Sequence, residues 1–224
     1  MKKIFISLII SFLALSANAQ LSPFTPFTVF DGYHYWVEAG ASYNKVVTRH
    51  VDYKLGYRGG IGADIPIHYS SVSFLPSILC ENRGYIQEME VDMTTQTIDM
   101  NSLHIVVPVD FSYNLPIGKK NGIQFAGGPF FSVGIAGSYT ESSDNYLQLY
   151  GTRTLEYNPF KNEDPEHNLL NRFDFGMDLG IRVIFLRHAM VKLNAEIGCI
   201  NISGRPDVPG FRSLSFSGSI AFRY

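Results

Sequence analysis

Ser213-Leu214-Ser215-Phe216-Ser217-Gly218-Ser219-Ile220-Ala221-Phe222-Arg223-Tyr224 alternates between two kinds of side chain without a break. Leu214, Phe216, Gly218, Ile220, Phe222 and Tyr224 share one face. Four serines, Ala221 and Arg223 share the other. Side chains of a strand alternate with a period of two, so this stretch predicts a strand with one apolar and one hydroxylic face. A strand closing on an aromatic residue, in a chain that opens with an export signal, points to an outer-membrane β-barrel. There the apolar face meets lipid and the polar face meets the lumen.

The opposite end supplies that signal. Lys2 and Lys3 form a basic start, Ile4 to Leu15 an apolar run, and Ala17-Asn18-Ala19 the small-x-small pattern of a signal-peptidase site. Residues 1–19 therefore read as a signal peptide, 20–32 as a Pro-containing lead and 33–224 as the barrel. The apolar run is too short to span a bilayer. Beyond it no long apolar segment follows, so any crossing must be made by strands. Only helices and closed barrels satisfy their backbone groups in lipid.

About 205 residues after cleavage suit one domain. A net charge of −2 argues against nucleic acid as a partner. Cys80 and Cys199 read as unpaired cysteines at apolar strand positions. No cofactor is expected.

Eight strands follow from alternation: about 33–46, 56–67, 72–85, 103–114, 123–139, 172–185, 190–202 and 213–224. The third has no clear phase, because Phe74, Ile78 and Cys80 alternate with Leu75, Leu79 and Glu81. The fifth places Phe125, Phe131, Ile135 and Tyr139 on its apolar face. Connections alternate too. Short turns lie near Tyr69, at Pro116 to Gly122 and at Leu186 to Ala189. Longer polar loops are expected at Val47–Leu55, Ile86–Met100, Thr140–Asn171 and Ser203–Arg212. An even strand count puts both termini on the short-turn, periplasmic side. The expected fold is an all-β, eight-stranded antiparallel up-and-down transmembrane barrel, as a monomer in the cell outer membrane. Its partners would be outer-membrane lipid and lipopolysaccharide.

Alternation alone does not separate this barrel from a soluble one whose apolar face points inward. The charges decide. Glu38, Arg58, Asp64, Asp110, Asp174, Asp178, Arg182, Lys192, Glu196 and Arg223 all fall on the polar faces. Both signs are present, as a narrow lumen requires, because buried charges must be paired. Gly60, Gly62, Gly128, Gly134, Gly176 and Gly180 share those faces and leave room for them. Tyr33, Tyr35, Tyr43, Tyr57, Tyr113, Tyr139, Phe173, Phe185 and Tyr224 gather near the ends of the apolar faces, like two interfacial girdles.

Several segments resemble one family. Leu103-His104-Ile105-Val106-Val107-Pro108-Val109 and Phe125-Ala126-Gly127-Gly128-Pro129-Phe130-Phe131 are similar to two strands of PorT-like outer-membrane β-barrel domains. So are Phe173 to Gly180, Glu196 to Ser203 and Phe216 to Tyr224, with Glu196 and Cys199 as departures. The resemblance implies a barrel fold and an outer-membrane location. It carries no shared catalytic residues.

An alternative function is a barrel enzyme acting on lipid or peptide, which would need a His base held by a carboxylate near a nucleophile. His34 and His104 lie on polar faces and could approach Asp110 or Ser112. No Gly-x-Ser-x-Gly elbow and no metal-ligand spacing is present. The reading preferred here is a non-catalytic structural or binding protein. Its candidate binding loop, Thr140–Asn171, interleaves Tyr146, Tyr150, Tyr157 and Phe160 with acidic residues, and exposed aromatics can anchor a protein partner.

Overall fold

The computed structural model describes residues 29–47, 51–67, 70–91, 94–145, 153–160, 169–204 and 211–224. The signal-peptide segment, the lead up to residue 28, Tyr146 and Tyr150 lie outside the described residues.

Among the described residues there are nine strands: β1 (His34–Val46), β2 (Val51–Pro66), β3 (Val72–Val91), β4 (Thr94–Ile117), β5 (Asn121–Asn145), β6 (Arg153–Tyr157), β7 (Phe173–Phe185), β8 (Ala189–Gly198) and β9 (Ser213–Arg223). Eight form a ring in which each pairs antiparallel with the next, and β9 returns to β1. The register from Trp36 opposite Arg223 to Val46 opposite Ser213 closes it. The ninth, β6, pairs only with the outer part of β5, from Tyr139 opposite Tyr157 to Ser143 opposite Arg153.

Three connections expected as loops carry strand instead. Residues 86–100 form a β3–β4 hairpin whose pairing runs to Val91 opposite Thr94. Much of Val47–Leu55 belongs to β2, and Thr140–Asn171 holds the end of β5 and all of β6. Apart from residues that turn inward, such as Val51, Ile98 and Met100, these stretches are mostly polar, so they lack the apolar alternation by which a lipid-crossing strand is recognised. Above the membrane there is no lipid to impose it.

The phase of β3 is now defined. Ser73, Leu75, Ser77, Leu79, Glu81, Arg83 and Tyr85 point inward, and Ile78 and Cys80 point outward. Both faces read as half apolar because the lumen here contains an apolar patch, where Leu79 meets Val106 and Phe130. Cys80 and Cys199 are free and exposed. On β5, Phe125, Phe131 and Ile135 face outward, but Tyr139 does not: it is 1% exposed and turned inward. Opposite β4 the register slips, with Leu103 facing Ala136 and His104 facing Gly134. The extra residue, Ile135, is a bulge, and one inserted residue flips every later side chain to the other face.

Lipid-accessible labelling tests this phase. In a Cys80→Ser, Cys199→Ser background, Ile78→Cys should react with a membrane-soluble maleimide in folded protein, whereas Leu79→Cys should react only after unfolding. Reversed reactivity would put β3 in the opposite phase.

Candidate functional site

The interior is stacked in layers. At the short-turn end, where the barrel strands begin and end, Val29 and Phe30, just ahead of β1, fold into the barrel mouth. There they join Trp36, Leu75, Ala126, Ile184, Met190 and Ala221 in an apolar stopper. The Val29 carbonyl accepts from Arg223 Nη1 at 2.6 Å. Glycine at 122 is required by space, because a Cβ there would lie 2.4 Å from the Phe30 ring. At the outer end Val46, Val51, Tyr85, Ile98, Met100, Tyr139, Phe160, Leu169, Leu170, Ile202 and Phe211 form a second apolar plug.

Charge fills the space between. Seven carboxylates (Glu38, Asp64, Glu81, Asp110, Asp174, Asp178 and Glu196) are buried with five cations (Arg58, Arg83, Arg182, Lys192 and Arg223). All ten charged positions read from the sequence are in this set. Glu81 and Arg83 are additional. Next to that first stopper, Arg223 pairs with Asp64 at 2.9 Å. Gln124 donates to both Asp64 and Asn114 at 3.0 Å. In the middle, Arg182 meets Asp110 at 2.9 Å, and Lys192 pairs with Glu38. Both cations also lie over the Trp36 ring, at 5.0 and 5.1 Å from its centroid. The indole Nε1 donates to Glu38 at 2.8 Å. The close fit requires glycine at 62, since a Cβ there would stand 2.2 Å from the same indole.

Towards the outer end Arg58 reaches Glu196 at 3.0 Å and Glu38 at 3.8 Å. Arg83 bridges Glu81 at 3.0 Å, Asp174 at 3.4 Å and Glu196. It thereby ties together strands β3, β7 and β8. Asp178 differs from the rest, taking both of its close hydrogen bonds from Asn194, at 2.8 and 3.0 Å. Ser215 and Ser219 donate to Glu81 and Glu38, so the hydroxylic face of β9 solvates the carboxylates. Glu81 and Arg83 could have been found from sequence. They are two residues apart, hence on one face, and two charges near the middle of a strand do not face lipid.

Among the described residues, neither His104 nor His34 joins a carboxylate and a serine. His104 sits between Ser102 and Ser132, 3.0 Å from each hydroxyl, with the Phe160 ring edge-on at 5.8 Å. Its partners are thus neither Asp110 nor Ser112. The ring nitrogens of His34 each lie 3.0 Å from a backbone carbonyl, of Tyr224 and of Asp31. Among the described residues no group of three His, Cys, Asp or Glu is placed to hold a metal. A cavity of about 30 Å³ beneath the outer plug touches Arg83, His104, Ser102 and Asp174. That is room for about one water molecule.

The aromatic residues of the expected binding loop need correction where they are described. Phe160 is 8% exposed, lies where a Cβ on Gly134 would clash at 2.2 Å, and carries the Arg172 guanidinium over its ring at 5.3 Å. Tyr157 stacks on Tyr139 at 5.3 Å. Neither is an exposed anchor. The barrel mouth is lined by apolar side chains, and burying these two rings against them removes more surface from water than leaving them in a solvated loop.

A closed eight-stranded ring with an outward apolar face, aromatic strand ends and a charged, plugged interior defines an outer-membrane β-barrel protein. The outer membrane protein beta-barrel domain model matches residues 18–202, and the chain belongs to that family. No curated protein matches it. Among solved structures it is similar to Ail, the attachment invasion locus protein of Yersinia pestis. The identity is 6%, the match covers 85% of this chain and 98% of that one, and the TM-score is 0.37. It is also similar to Neisserial surface protein A, with 12% identity, coverage of 87% and 100%, and a TM-score of 0.39. A third likeness is to the N-terminal barrel of Pseudomonas aeruginosa OprF, at 10% identity, 84% and 97% coverage and a TM-score of 0.30.

Arg83 is the strongest test of the network. Arg83→Met leaves three buried carboxylates short of a cation, and stability in detergent should fall by about 3–5 kcal/mol. Adding Glu81→Met should restore part of that loss. An unchanged melting temperature in the single variant would show that the charges are not coupled.

Proposed function

We propose that this protein is a non-catalytic barrel that recognises a protein partner at the cell surface, through the sheet that rises from its outer rim. The observation that carries this reading is strand length. β3, β4 and β5 run 20, 24 and 25 residues, whereas a membrane crossing takes roughly 9–11. About 10 to 15 residues of each strand therefore lie beyond the crossing, roughly 33–50 Å of chain at about 3.3 Å per residue. With β6 they form a four-stranded extension.

The inner side of its base packs on the plug through Tyr85, Met100 and Tyr139. The other side presents polar positions such as Glu88, Thr97 and Ser142 to solvent. The strands inside the membrane are committed to lipid on one face and to the charge network on the other, so they have no free surface for recognition. The short turns are too small to build a site. The absence of catalysis is supported by the two histidines, neither of which joins a carboxylate and a serine at an open position. Within this reading residues 1–19 are the export signal, the barrel starts near residue 33 and works as a monomer, and the PorT-like motifs mark its nearer kinship.

Photo-crosslinking residues placed at Glu88 and Thr97 in whole cells should give discrete protein adducts, while one at Lys119, in a periplasmic turn, should not give the same ones. Shortening the hairpin by replacing 88–97 with Asn-Gly should abolish the adducts formed from Ser142 and leave the melting temperature within a few degrees, because loop length changes closure entropy slowly. Identical adducts from Ser142 in the shortened protein, or a hydrolase activity lost on His104→Ala, would overturn the proposal.

A further inference from the structure

Outside the barrel, on the side formed by β9, β1 and β2, the outward side chains climb the ladder in a defined order. Tyr43 stands opposite Phe216, and Lys45 opposite Leu214. One rung higher the Val47 N–H donates to the Arg212 carbonyl at 2.8 Å, which puts Arg212 on the diagonal from Lys45. Diagonal neighbours lie roughly 7–8 Å apart, within the reach of both long side chains. Tyr43 is 49% and Phe216 46% exposed, so both rings face lipid. Tyr53 of β2 stacks flat on Tyr43, with ring centroids 4.9 Å apart and planes within 5°, and leans on Phe216 at 6.4 Å. The Lys45 ammonium sits over the Tyr53 ring, 4.5 Å from its centroid. Arg212 is exposed. Among the described residues neither cation has a carboxylate within ion-pair distance, which sets them apart from the buried cations and from Lys54, paired with Asp99.

We infer that Lys45 and Arg212, above the shelf made by Tyr43, Tyr53 and Phe216, form a seat for a phosphate group of lipopolysaccharide in the outer leaflet. An aromatic shelf holds the depth at which acyl chains give way to head groups, and a cation immediately above it stands where an anionic head group lies. Tyr53 fixes the ammonium over its ring, which lowers the entropy lost when an anion is bound. Arg212 adds a planar donor suited to phosphate oxygens. The two positive charges, without an ion-pair partner among the described residues, are complementary to one bridging phosphate. The site is separate from the protruding β3–β6 sheet and does not depend on its role.

The experiment measures thermal stabilisation and apparent affinity of the purified barrel in neutral detergent, on addition of lipopolysaccharide, the same material enzymatically dephosphorylated, or phosphatidylglycerol. Lipopolysaccharide should stabilise the native protein most, with an effect that falls at high salt. Lys45→Gln with Arg212→Gln should weaken its binding about thirtyfold, on the basis of about fivefold per surface cation. Lys119→Gln with Lys120→Gln, the same charge change at the periplasmic turn, should leave it unchanged. Tyr53→Leu, which keeps both cations, should weaken it less. Equal stabilisation by the dephosphorylated material, or by phosphatidylglycerol with the same dependence on the two cations, would overturn the inference. So would undiminished binding by the double variant.

Discussion

The return of β9 onto β1 is the interaction on which everything else depends. In hydrocarbon an unpaired peptide group costs several kcal/mol, so an open sheet has no stable place there. Closing the ring pairs the last edges, and the antiparallel register from Trp36 to Val46 against β9 does this within the membrane. Closure with eight strands then leaves an interior only wide enough for side chains. The narrow lumen follows from hydrogen bonding in lipid.

Once the lumen is that narrow, its contents are constrained. Outward faces must be apolar, which leaves the polar half of each strand to fill the inside. Polar groups confined there must find one another, and the two apolar ends keep bulk water from competing. Arg83 and Arg58 each serve several carboxylates, Trp36 gives two cations a π-face and Glu38 a donor, and the serines of β9 complete the shell. The buried ions do more to fix which strands meet, and in which register, than to add stability relative to an apolar core of equal volume. A slip of one residue would turn each of these charges into lipid.

The same logic divides the molecule by height. Inside the membrane every side chain is fixed either by lipid or by the network. Above the rim these demands lapse, and β3, β4 and β5 continue as strands because hydrogen bonding to each other still satisfies their backbones. Part of the apparent outer loop is then drawn down into the mouth. Phe160 occupies the space left by the missing side chain of Gly134 and stands edge-on to His104. Among the described residues the surface open to other molecules is therefore the extension and the outer rim, not Tyr157 or Phe160.

The fold was legible because lipid on one side and a polar lumen on the other write a period of two into each crossing strand, and nothing else in the sequence shares it. The outward face and ten charged inward positions can be read from β1, β2, β4, β5, β7, β8 and β9 alone, and the count of eight crossing strands once β3 is added. Three things were obscured or not readable. In β3, Leu75 and Leu79 turn inward to meet apolar partners from other strands and blur the phase, which within the strand only Glu81 and Arg83 mark. The reversal at Tyr139 depends on a bulge at Ile135, which has no signature in composition. The extension above the rim has no lipid to impose alternation, so its sequence looks like loop. Local sequence determined which side chains lipid would accept. Which of the remainder would meet across the lumen, Arg83 with Glu196 or Phe160 with Gly134, was decided only when the ring closed and brought distant strands together.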